Sequence, residues 1–253
     1  MKKRLAVLML VSLLGLAIAS GCIATKPPTK ESVVKAIEDV DKYEFWAESK
    51  SGEVTTNVHG GVYYSQEEGY WEIVIKSEKE IRYVNETLLK DMFYYSYVLK
   101  AGGRKIEGYS EKLTVEEYFN KYIVDSSNLT NPEEVKWEIL KGPYFTTNPL
   151  NFIKDLLQHG NITKIEKTDK GYIVEFVFKK VEKHKAFGTT LKITIEGSGK
   201  LLIKGALPME AELIVTKISK VGDRKPTISN YTAKVKFSYR YKRPEWVREV
   251  TEK

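Results

Sequence analysis

Few side chains in this chain are spaced for chemistry, and the clearest of them stands near the N-terminus. Cys22 is the only cysteine among 253 residues and directly follows the small residues Ala19, Ser20 and Gly21. Small side chains let a peptidase cleft reach the backbone, and the thiol behind them is the nucleophile that can accept a lipid chain. A single cysteine excludes both a disulfide framework and a multi-thiolate metal site. His59, His159 and His184 are the only histidines, none stands at helical spacing from a pair of strong ligands, and no zincin-type spacing appears. Gly197-Ser198-Gly199-Lys200 lacks the first glycine of a phosphate loop and reads as a hairpin turn. The carboxylate pairs Glu67-Glu68 and Glu116-Glu117 read as a loop and a helix start, and His59 as a turn residue. No catalytic residue, metal site or cofactor is expected, so the chain does not read as an enzyme.

The residues around Cys22 say where the chain resides. Met1-Lys2-Lys3-Arg4 is a positive segment, and Leu5 to Ala19 is an apolar run broken only by Ser12 and Gly15. Together they predict a signal peptide over residues 1–21. As a helix, Leu5 to Gly21 reaches only about 25 Å, short of a roughly 30 Å hydrocarbon core. The segment resembles the lipobox of secreted lipoproteins, with Ala19 where leucine is commonest. That resemblance implies lipidation at Cys22 and an anchor on the extracytoplasmic face of the cell membrane. Asn-X-Ser/Thr sequons at Asn85, Asn128, Asn161 and Asn230 are candidate glycosylation sites and fit that side of the membrane. Abundant lysine and glutamate with only Gln66 and Gln158 point to a heat-adapted, archaeal-type source. The net charge of +7 includes Lys2, Lys3 and Arg4. Without those three of the 41 basic residues, against 34 acidic ones, the excess is +4. An exported chain with so small an excess is not expected to bind nucleic acid.

The elements that must position any site follow from periodicity. Residues 22–29, with Pro27-Pro28, read as the lipidated cysteine and a short stiff tether. Thr29 caps a helix with Val33, Val34, Ile37 and Val40 on one face. From Tyr43 to about Tyr109, aromatic and β-branched runs predict strands at Val62 to Ile75, Ile81 to Val84, Met92 to Leu99 and Lys105 to Tyr109. Thr114-Val-Glu-Glu117 is a capping box opening a helix whose apolar face is Val115, Tyr118, Phe119, Tyr122 and Ile123. Trp137 falls in an expected short strand between Glu133 and Thr147. Asn148-Pro149 opens a helix that ends at Gly160, with Leu150, Ile153, Leu156 and Leu157 inward. Strands are again predicted at Tyr172 to Lys180, Leu191 to Glu196, Leu201 to Ile203, Glu210 to Ile218 and Tyr231 to Tyr241. The last of these reads as an edge strand with a stripe of Lys234, Lys236, Arg240 and Lys242, which an anionic membrane surface or simple edge protection would explain. The predicted architecture is α+β: one domain over residues 30–243 and a polar tail over 244–253.

This order, a lipidated cysteine followed by a helix, a meander, central helices and a second meander, resembles the lipoprotein-carrier fold shared by LolA, LolB and the LppX-type lipoproteins. Val135-Lys-Trp137 before the Asn148–His159 helix, then Gly171-Tyr-Ile-Val-Glu-Phe176, carry the same cadence. The resemblance implies a single strongly curved antiparallel sheet, an incomplete barrel, wrapped around a few short helices. It also implies an apolar cavity for a lipid or other amphiphile. No residue here matches the arginine that gates the lid of LolA.

Sixteen tyrosines, including Tyr63-Tyr64 and Tyr94-Tyr95-Ser96-Tyr97, supply rings with an apolar body and a polar tip. The residues expected to line the cavity are Tyr95, Tyr97, Leu150, Ile153, Leu157, Tyr172, Val174, Phe176, Phe178, Phe237 and Tyr239. The function expected is a membrane-anchored lipoprotein holding an amphipathic ligand. The alternative is a cell-surface module that binds a glycan, peptide or partner protein through a tyrosine-rich face. The two part on whether an apolar pocket above about 300 Å³ lies between sheet and helices. Replacing the lipid acceptor, Cys22→Ser, is expected to leave the precursor unprocessed or shift the chain from the membrane pellet to the soluble fraction. An unchanged pellet fraction and an unmodified N-terminus by mass spectrometry would remove the anchor.

Overall fold

The computed structural model describes residues 26–124, 129–186, 189–222 and 224–251. The signal segment 1–21, Cys22 and the sequon at Asn128 lie outside the described residues.

Helix α1 (Lys30–Glu38) starts where the sequence places it: the Ser32 amide donates to Thr29 Oγ1 at 3.2 Å. Six strands follow, β1 (Lys42–Ser51), β2 (Val54–Tyr63), β3 (Glu68–Lys76), β4 (Glu80–Leu89), β5 (Met92–Ala101) and β6 (Arg104–Thr114). The run predicted as one strand from Val62 to Ile75 is two. A 3₁₀ turn at Tyr64–Gln66 ends with Glu67 in the left-handed region at φ 53° and separates β2 from β3. Helix α2 (Val115–Tyr118) carries the expected capping box and runs into a π-helical turn at Phe119–Ile123. Helices α3 (Pro132–Lys141) and α4 (Pro149–Gln158) share one opening signature: an asparagine cap followed by proline at the first helical position. The strand expected at Trp137 is therefore helix. Its signal is Asn131-Pro132, the same pair that marks α4. The chain continues through β7 (Gly160–Thr168), β8 (Gly171–Ala186), β9 (Thr189–Lys204), β10 (Leu207–Val221) and β11 (Thr227–Ser238). The last described element is α5 (Glu245–Thr251), within the expected polar tail, where Val247 is fully buried.

All eleven strands form one antiparallel sheet in the order β6-β5-β4-β3-β2-β1-β11-β10-β9-β8-β7. The α+β class and the incomplete barrel are thereby corrected. The chain is mostly β, the sheet is not closed into a barrel, and a few short helices lie against it. Two local features conceal this in the sequence. Gly197-Ser198-Gly199 does not turn the chain but runs extended inside β9, opposite Phe178, Val177 and Phe176. Strand β7 is a sheet edge with mostly exposed residues, so it lacks the apolar alternation that marks a half-buried strand. The predicted edge strand β11 lies mid-sheet between β1 and β10. Lys234 and Lys236 on its outer face are met by Glu212 at 2.7 Å and Glu210 at 3.5 Å, so two of the four cations of the basic stripe are paired, and Arg240 and Lys242 lie past the end of the strand.

One continuous core joins the inner sheet face to α1 through α4. Val33 and Ile37, Val115 and Phe119, Val135 and Leu140, and Leu150, Ile153, Leu156 and Leu157 meet Phe45, Trp71, Leu88, Phe176, Leu201 and Phe237. Aromatic rings fill the space that strand glycines leave open. A Cβ on Gly199 would stand 2.3 Å from Cε1 of Phe176, and one on Gly60 would stand 2.6 Å from Cζ of Phe45. Both rings are fully buried and have nowhere to move. Gly199→Val is thus expected to lower the unfolding free energy by about 2–3 kcal/mol, read by urea denaturation. A midpoint equal to wild type would show that the ring is not held over the glycine.

Candidate functional site

The two halves of the sheet are covered unequally. Over β8 to β11, α4 presents an unbroken apolar face, and Leu150, Ile153 and Leu157 share one core with Val174, Phe176, Phe178 and Phe237, while Tyr172 is buried outside that cluster. Tyr239 lies past the end of β11, half-buried, and its hydroxyl donates to the Pro208 carbonyl. These candidate cavity residues are brought together as densely packed core.

Over β4 to β6 the cover is thinner. Helix α2 is one turn long, and α3 spans the remaining gap, leaving a cavity of about 420 Å³. Its sheet wall comes from alternate, same-face residues of three strands: Glu86 of β4, Phe93 and Tyr95 of β5, and Tyr109, Glu111 and Leu113 of β6. Tyr118, Tyr122 and Ile123 close one side from α2 and its π turn. Glu138 and Ile139 of α3, with Tyr144 and Thr147 beyond it, form the roof. The rings pair across this space. Tyr95 and Tyr109 have centroids 5.6 Å apart, Tyr118 and Tyr122 5.4 Å, and Phe93 and Tyr118 4.6 Å.

Three carboxylates line the cavity in three different states. Glu111 is held below the ordinary carboxylate range by hydrogen bonds from Lys121 and the Tyr122 hydroxyl. Glu138 accepts from the Tyr144 hydroxyl, and burial together with that carboxylate pushes the phenol up to about 12. Glu86 has no hydrogen-bond or ion-pair partner among the described residues, and burial raises its carboxyl to about 7. Its row mates Val84 and Leu88 are apolar and its cross-strand neighbours on the same face are Trp71 and Tyr95. A carboxylate in an apolar row is a readable sequence signal, but a strand taken to end at Val84 leaves it out.

The roof is pinned by charge. Lys136 of α3 is buried, and its ammonium meets Glu67 at 3.0 Å, Asp91 at 3.3 Å and Glu133 at 2.8 Å. Burial pulls that ammonium down, but the three carboxylates outweigh it and the net shift is upward.

Of the predicted set, Tyr95 alone lines this cavity, while Tyr97 meets Tyr109 with tilted rings 5.7 Å apart one step along the same face. Asn161 and Asn230 are exposed and Asn85 is half-buried.

On the outer face, Glu44, Trp46, His59 and Tyr70 border a second cavity of about 890 Å³ with Lys242, Arg243, Arg248 and Glu249. His59 lies in β2 and not in a turn. It is linked to Glu72 at 3.0 Å and Tyr70 at 3.3 Å, and its ring stacks on Trp46. The hydrogen bond from His59 holds Glu72 below its ordinary range, and burial with Glu44 nearby pushes the Tyr70 phenol up. Glu68, read from sequence as part of a loop, is buried at 3% exposure. It receives the Arg243 guanidinium through two 2.7 Å hydrogen bonds and Tyr241 through a third.

A scan against models of known protein families finds no match to this chain, and a search of curated proteins finds none either.

Glu86 makes stability depend on pH in a definite direction. The folded carboxyl keeps its proton to about pH 7, whereas an unfolded one releases it near 4.5. Folding therefore takes up a proton between those values, and stability falls as pH rises through that window. Glu86→Gln removes this slope and is expected to stabilise the chain by about 3 kcal/mol at pH 8 and negligibly at pH 4, measured by urea melts. Equal effects at both pH values would mean that the carboxyl is not desolvated.

Proposed function

We propose that the chain is a membrane-tethered, extracytoplasmic lipoprotein that holds an amphipathic small molecule in the cavity between β4–β6 and the α2–α3 roof. The observation that carries this reading is the cavity itself, about 420 Å³ and lined chiefly by aromatic and aliphatic side chains, beside the continuous buried core. That volume lies in the range of small-molecule pockets. At about 30 Å³ per water-sized group it has room for roughly fourteen such groups, which suits one short chain or a head group and is far too little for a two-chain lipid. The proposed tether at Cys22 supports the reading, because a ligand drawn from a bilayer must leave surroundings as apolar as the pocket, and a nearby membrane supplies it at high local concentration.

Full-length chain purified in amphipol is expected to carry one amphiphile per chain by mass spectrometry of an organic extract. Leu113→Arg, on the cavity wall in the edge strand β6, is expected to lose it with little change in thermal midpoint. If the two extracts match, or if neither contains a stoichiometric amphiphile, the binding function is removed.

A further inference from the structure

The cavity lining specifies more than an apolar ligand. We propose that the cavity is an aromatic cage for an organic ammonium ion, so that the head group of the bound amphiphile is a substituted amine and not a phosphate, sulfate or carboxylate; this rests on amphiphile binding in the same cavity.

The sign of the lining charge decides first. Among the described residues, the charged side chains lining the cavity are the carboxylates Glu86, Glu111 and Glu138, with Lys121 bonded to Glu111. An anionic head group would stand beside like charge, and Lys121, the cation bonded to Glu111 at this wall, is already engaged there. Occupancy comes second. Glu111 is satisfied by Lys121 and Tyr122, and Glu138 by Tyr144, whereas Glu86 is left without a hydrogen-bond or ion-pair partner among the described residues. One carboxyl is thus available to a ligand. The third element is the wall. Tyr95 and Tyr109 stand on the sheet side, Tyr118 and Tyr122 on the helix side, and Phe93 joins them. The Glu86 carboxyl lies within electrostatic reach of Tyr95 and of Tyr118. Aromatic faces around one carboxylate are the arrangement that attracts a weakly hydrated alkylammonium through cation–π contact and ion pairing together. A compact, strongly hydrated metal ion has no comparable reason to enter, because phenyl and phenol rings do not replace its water shell.

The titratable groups that share the cavity with Glu86 are Tyr95 from β5, Tyr109 and Glu111 from β6, Tyr118 and Tyr122 from α2 and its π turn, and Glu138 and Tyr144 from the roof, with Lys121 bonded to Glu111. Of these, Glu86 is the carboxyl held near neutrality, so affinity for a permanent cation should rise as it ionises between pH 6 and pH 8.

The test uses full-length chain in amphipol, stripped of ligand, and three probes with one short tail: hexyltrimethylammonium, hexyl glucoside and hexyl sulfate, titrated by calorimetry. The ammonium is expected to bind at least tenfold more tightly than the glucoside, with no measurable binding of the sulfate. Its affinity should increase between pH 6 and pH 8. Glu86→Gln should bring ammonium and glucoside within about threefold of each other and abolish the pH dependence. Tyr95→Leu should weaken the ammonium selectively, and both variants are checked for an unchanged fold by circular dichroism. Equal binding of all three probes, or preference for the sulfate, overturns the ammonium cage while leaving amphiphile binding in place. Failure of all three to bind overturns the binding reading itself.

Discussion

One inner sheet face eleven strands wide must be taken out of water, and the chain has only short helices with which to do it. That shortage sets the rest of the structure. Burial of apolar surface is the main favourable term available, and each uncovered strand forfeits its share. Helix α4 covers its half together with α1, which packs on it and on β10, and six of α4's ten residues are buried. On the other half α2 has four residues before the π turn. The tyrosines there make the deficit tolerable, since a ring with a hydroxyl at its edge can border either solvent or ligand.

The same shortage explains why aromatic side chains sit on strand glycines. Phe45 over Gly60 and Phe176 over Gly199 turn the sheet into part of its own filling, so that a large ring is accommodated without another layer of helix. The outer face is protected differently. Glu68 draws in Arg243 and Tyr241 from beyond the last strand, and this segment brings α5 with its buried Val247. A buried carboxylate is costly unless it is fully paired, and here the two guanidinium bonds and the phenol supply that pairing.

How much of this is legible in the sequence depends on whether a signal is local. Helix caps are legible because a cap is settled within four residues: Thr29, Thr114 and Asn148 each behave as their sequence neighbours dictate. Long alternations such as Tyr172 to Phe178 and Ala233 to Phe237 are legible for the same reason. Strand β7 is not, because an exposed edge has no buried row to display. Gly197 and Gly199 mislead because their meaning lies in Phe178 and Phe176 on the neighbouring strand, not in adjacent residues. The cavity expected under Phe176 lies instead beside Glu86. A sequence shows which faces are apolar, but only the packing shows which of them a helix fails to reach.

The pairing of β1 with β11 bears on how the chain reaches this state. Phe45 faces Phe237 and Ala47 faces Val235, so the first strand waits for the last before the two meanders become one sheet. Contacts between such distant parts of a chain are slow to form, because a long loop must close before any of the gain is realised. Each meander can assemble by short hairpins as it is synthesised, yet the seam between them stays open until almost the whole polypeptide has emerged. A chain of this design remains two open half-sheets for nearly all of its synthesis.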